Sequence, residues 1–142
     1  MHDENRRLAA LIGRWRSEGR TVATPEAPSV NIGGHDVYEW FPGEQFLVHH
    51  VDVLMGGEEV RAIEMIGPYD PATASYPMRA FDHQGAFTTM DATRAGDTWT
   101  FTGPTTRATL TITPDTMRAR WDRLTSTSTW THWMDMTFTK EP

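Results

Sequence analysis

Residues 13–22 read Gly13-Arg14-Trp15-Arg16-Ser17-Glu18-Gly19-Arg20-Thr21-Val22, and their alternation sets the fold class. Trp15, Ser17, Gly19 and Thr21 fall on one side of a period of two, with Arg14, Arg16, Glu18 and Arg20 on the other. One face is small or aromatic and the other is fully charged, which is the pattern of a half-buried strand. The preceding segment is different: Leu8, Leu11 and Ile12 recur at helical spacing, Asp3 or Asn5 can cap them, and Gly13 ends the pattern.

Beyond this strand, residues 24–34 (TPEAPSVNIGG) form a Pro- and Gly-rich connection. From residue 35 onward, short β-type runs alternate with turn signals. HDVYEWF leads into Pro42-Gly43, QFLVHHVDVL into Gly56-Gly57, and EEVRAIEMIG into the connection 68–74. SYPMRAFDH, AFTTMDA, TWTFTG, TRATLTIT, MRARWDRL and WTHWMDMTFT complete the series. The reading is all-β: one short N-terminal helix followed by roughly ten strands with short connections. A domain this short has few residues with which to cover sheet edges, and closure removes the edges, so an antiparallel barrel is expected over a sandwich. No internal repeat and no second boundary interrupts a single domain over residues 1–142.

The net charge of -6 argues against nucleic acid as a partner, because phosphate binding needs a basic footprint. No apolar run reaches transmembrane length, and the start MHDENRRLAALIG lacks the long apolar core of a signal peptide, so a cytoplasmic protein without membrane attachment is expected. The absence of cysteine excludes disulfides, thiolate metal sites and a cysteine nucleophile. Six tryptophans and eight methionines imply a bulky core or a cavity with an adaptable lining.

Gly13-Arg14-Trp15-Arg16-Ser17-Glu18-Gly19, directly after a helix, resembles the G-x-W motif on the first strand of calycin-type barrels. Lipocalins, fatty-acid-binding proteins and nitrobindins are among these. Tyr38-Glu39-Trp40-Phe41-Pro42-Gly43, Phe46-Leu47-Val48-His49, Gly67-Pro68-Tyr69-Asp70-Pro71, Arg79-Ala80-Phe81-Asp82 and Trp133-Met134-Asp135 are similar to an uncharacterised bacterial family of small calycin-like proteins. That resemblance implies the barrel and no agreed activity. It also implies that Trp15 closes the barrel floor.

Candidate site residues come from polar groups on apolar faces. In Phe46–Leu54 a strand separates the adjacent histidines. His49 travels with Leu47, Val51 and Val53, and is expected inside; His50 travels with Asp52 and is expected in water. Glu64 interrupts the face of Val60, Ala62 and Ile66, and a buried carboxylate requires a partner. His49 and Arg79 are the candidates. Arg79 shares a face with Phe81, while Tyr76, Met78, Ala80 and Asp82 occupy the other, so its direction stays open. Trp15, Tyr38, Trp40, Trp121 and Met134 are the large side chains expected to contribute to ligand binding.

His132 falls among Trp130, Met134, Met136 and Phe138 in the last strand. In nitrobindins a last-strand histidine holds haem iron, and the position of His132 is broadly similar. Ser17, however, stands where the nitrobindin G-x-W-x-G-x-G pattern has its middle glycine. Haem is expected to bind weakly or not at all, and no metal site is expected.

The leading reading is a barrel that binds a small apolar or amphipathic ligand, its polar end fixed by His49, Glu64 and Arg79. The alternatives are a cofactor-independent isomerase or cyclase using the Glu64/His49 pair, haem binding through His132, and a self-filled barrel that serves as an assembly partner. A homodimer is compatible with the sequence.

Overall fold

The computed structural model describes residues 3–142. A helical turn, α1 (Asp3–Arg6), runs into a 3₁₀ turn over Arg7–Leu11. The strands follow as β1 (Gly13–Thr21), β2 (Asn31–Trp40), β3 (Leu47–Met55), β4 (Glu58–Ile66), β5 (Tyr76–Asp82), β6 (Phe87–Ala95), β7 (Thr98–Thr102), β8 (Thr106–Ile112), β9 (Thr116–Leu124) and β10 (Trp130–Lys140). Each pairs antiparallel with its chain neighbours, and β1 closes the ring against β10. Trp15 pairs with Lys140 and Thr21 with Met134 in that seam, so neither terminal strand leaves an open edge. No helix among the described residues is long and apolar enough to cross a membrane.

The N-terminal segment plugs one end. Leu8, Leu11, Trp15, Tyr76, Trp99 and Met117 are all at most 1 % exposed there. Burying side chains of this size contributes about 1.5–3 kcal/mol each. Polar groups pin the plug in place. The Asn5 amide donates to the carbonyls of Glu44 and Gln45, and its oxygen accepts from the Tyr69 N–H. Tyr76 donates to the Glu4 carbonyl, and the Trp15 indole to that of Leu11. Asn5, one of the two residues read as able to cap the helix, is thus a buried bracket inside the helical turn.

β2 begins at Asn31, inside the segment read as a connection. Gly33 and Gly34 both belong to the strand, and close chain packing demands the second of them. A Cβ on Gly34 would lie 2.2 Å from the Asp52 carbonyl oxygen, and the residue sits at φ +154°. Gly19 on β1 is under the same pressure from Asp135 and Met136 of β10.

A candidate ligand cavity with a buried acidic cluster

The strand register lines up polar side chains on the inner faces of β1 to β4. Ser17 lies opposite Gly34, Tyr38 opposite His49, and His49 opposite Glu64. Asp36 sits one inward position from Tyr38, diagonal to both Ser17 and His49. The side chains join into one network. Ser17 Oγ donates to Asp36 Oδ1 at 2.5 Å, His49 Nε2 meets Asp36 Oδ2 at 2.6 Å, and His49 Nδ1 meets Glu64 Oε1 at 3.0 Å. Tyr38 stacks on the imidazole, with ring centroids 3.9 Å apart and planes at 11°. Ser17, Asp36, Tyr38 and His49 are all buried.

Burial alone would push the His49 imidazole down, since it disfavours the charged form. Hydrogen bonds to Asp36 and Glu64, together with the charges of both, outweigh it and hold the pKa at about 9. At neutral pH His49 is therefore an imidazolium donating from both nitrogens, one to each carboxylate. The Tyr38 hydroxyl is pushed well above its usual range, first by burial and then by the charges of Asp36 and Glu64. It stays a neutral phenol.

This cluster forms part of the wall of a cavity of about 340 Å³ inside the barrel. Otherwise the wall is mainly apolar. Met55, Met78, Met90, Met134 and Met136 give it adaptable surface, and Phe101, Trp121 and Trp133 give it rings. His49 and Glu64 are each two positions in from the plugged ends of β3 and β4, which places the acidic cluster deep. Met55, Val60, Trp133 and Thr106 lie at the opposite strand ends. A second depression, an open groove of about 580 Å³, lies outside the plugged end against Arg6, Arg7, Arg94, Trp99 and Lys140. It shares no residue with the acidic cluster.

Tyr38, His49, Glu64, Trp121 and Met134 thus stand on one cavity wall. Four other expected positions do not. Arg79 is exposed on the outer face, opposite Met65 and Thr89, because Met78 and Ala80 are the inward residues of β5. Trp15 is wholly buried in the floor, outside the cavity, and Trp40 packs against the core without reaching the wall. His132 is displaced by a bulge. The register of β10 against β9 shifts between His132 and Met134, which lets Trp133 and Met134 both face the cavity. His132 turns away and binds Asp135 at 2.8 Å. His132 is not among the residues that line this cavity. Among the described residues the only imidazole on the wall is that of His49, and both of its nitrogens are engaged.

Asp36, not Arg79, completes the cluster. The sequence carried its signal: Asp36 shares a period-two face with Tyr38 and Trp40, the same interruption of an apolar face that marked Glu64.

The model of the family described as "Protein of unknown function (DUF1579)" matches residues 1–140. The chain belongs to this family. No curated protein is significantly similar to it. Among solved structures, this DUF1579 chain is similar to Rv2717c from M. tuberculosis, with a TM-score of 0.75 at 11 % identity, covering 100 % of this chain and 99 % of that one. It is also similar to the S-type phycobiliprotein lyase CPES from Guillardia theta, with a TM-score of 0.59 at 10 % identity, covering 96 % and 91 %. A third likeness is to EF1p2_mFAP2b bound to DFHBI, with a TM-score of 0.52 at 7 % identity, covering 98 % and 100 %. At these identities the likeness is one of fold. The resemblance to an uncharacterised barrel family is realised in DUF1579, whereas the likeness to nitrobindins gains nothing from these comparisons.

Proposed function

We propose that the protein binds a small, largely apolar ligand inside the barrel, with the ligand's polar end at the Asp36–His49–Glu64 cluster. One observation carries this reading. A cavity of about 340 Å³, lined mainly by apolar side chains, contains a single cluster of charged groups. That combination is the usual composition of a small-molecule site, in which apolar walls supply burial and a few polar groups fix orientation. Five methionines along the wall allow it to adapt to ligand shape. The solved barrel bound to DFHBI supports the reading at the level of architecture.

The proton-transfer alternative is disfavoured by His49 itself. A general base works best with a pKa near the operating pH and a nitrogen turned toward substrate. His49 is held at about 9 with both nitrogens on carboxylates. It orients the carboxylates and does not serve as a base.

Native mass spectrometry of protein purified from its own host tests the proposal. A retained small molecule, lost from an Ala119→Phe variant that fills the cavity, is the expected result. A mass equal to the bare chain, together with no binding of apolar probes, would contradict it.

A further inference from the structure

We propose that the polar end of the ligand is a cationic hydrogen-bond donor, a protonated amine, and that the cavity discriminates against carboxylates. This deepens the ligand-binding reading and rests on it. The argument begins with the charges on the wall. Among the described residues, Asp36 and Glu64 are the carboxylates on the wall, no Arg or Lys lines the cavity, and His49 supplies at most one compensating positive charge. The wall is therefore net negative when both carboxylates are ionised.

The second observation is the distribution of hydrogen bonds. Asp36 uses one oxygen for Ser17 and the other for His49, and Glu64 uses Oε1 for His49. Glu64 Oε2 accepts no hydrogen bond from the described residues, and Glu64 lines the cavity. What the cluster offers a ligand is an ionic acceptor. Its charged donors, the two N–H groups of His49, are already committed. The remaining donors on the wall, the hydroxyls of Tyr38, Thr88 and Thr106 and the indoles of Trp121 and Trp133, are neutral.

A ligand carboxylate entering here would bring a third negative charge into a poorly solvated space beside two others, where the one cation, His49, already gives both N–H groups to Asp36 and Glu64. An ammonium group would meet Glu64 Oε2 in a charge-assisted hydrogen bond.

Three probes of matched chain length separate the outcomes: decylamine, decanol and decanoate, titrated into the full-length protein by calorimetry at neutral pH. Decylamine is expected to bind at least about tenfold more tightly than decanoate, with decanol between, since an ion pair in a low-dielectric site is worth a kcal/mol or more. Glu64→Gln is expected to abolish the preference for amine over alcohol. Ala119→Phe should weaken amine and alcohol alike, which separates cavity binding from adsorption to an acidic surface. Decanoate binding as tightly as decylamine would overturn this inference and leave the cavity reading standing. Failure of all three probes to bind would overturn both. The wild-type ranking decides the matter even if Glu64→Gln does not fold.

Discussion

His49 sits between two carboxylates inside the barrel wall, where the protein medium strengthens each hydrogen bond and makes each unpaired charge expensive. Its pKa of about 9 lies above the 6.5 of an ordinary imidazole, so the folded state holds this proton more tightly than the unfolded chain. The resulting stabilisation is present in full below about pH 6.5 and is lost as the pH rises through about 9. Its size is on the order of a few kcal/mol. Urea unfolding followed from neutral pH to about pH 10 should therefore show stability falling more steeply in the wild type than in His49→Gln. Parallel profiles would contradict the assignment. His49→Ala, which leaves Asp36 and Glu64 buried without their cation, is expected to cost about 3–5 kcal/mol, whereas His50→Ala at the exposed neighbour should fall within about 0.5 kcal/mol of wild type. Much of this was legible in the sequence. Strand alternation separated the two histidines and turned Glu64 inward. Arg79 was left ambiguous because both faces of β5 carry large side chains, and only the ring closure shows which of them meets the core. Asp36 carried a readable signal, but Tyr38 and Trp40 on the same face fit simple packing equally well.

At the level of single elements, β2 and β10 depart most from a regular reading. Gly34 lies against the β3 backbone, so Gly34→Ala is expected to destabilise by about 3 kcal/mol or more, as a clash with backbone cannot be relieved by a rotamer change. Gly85, at φ +84° with open space around it, is the control, and Gly85→Ala should cost only about 1 kcal/mol. Equal effects in denaturant titrations would contradict the close-packing account. On β10 the bulge places His132 in an outward pair with Asp135, a partly exposed contact worth about 0–1 kcal/mol. His132→Ala should therefore leave stability and decanol binding nearly unchanged, and any change in the haemin Soret band should be the same with and without His132. A sharp, saturable Soret shift lost in the variant would restore haem as the ligand. Period-two reading failed here for a definite reason: a one-residue bulge reverses the facing of everything before it, and nothing in Trp130–Met134 announces the extra residue.

The whole molecule divides its interior into a solid floor and a hollow upper barrel. Trp15, Trp99, Tyr76 and the helical plug fill the floor, while Met55, Met78, Met90, Met134 and Met136 line the cavity with Phe101, Trp121 and Trp133. Strand number and closure were readable from turn signals and the scarcity of residues to cover edges. Hollowness was not, because the same apolar alternation describes a packed barrel and an open one. The central claim is that a ligand enters this cavity, and methyl-selective NMR of the methionines reports on it directly. With ¹³C-methyl methionine and neutral decanol as probe, the methyls of Met55, Met78, Met90, Met134 and Met136 should shift and saturate together. Met65 on the outer face of β4 and Met117 in the floor should stay in place. Shifts spread equally over Met65 and Met117, or no shifts at the cavity methyls at saturating probe, would contradict the account.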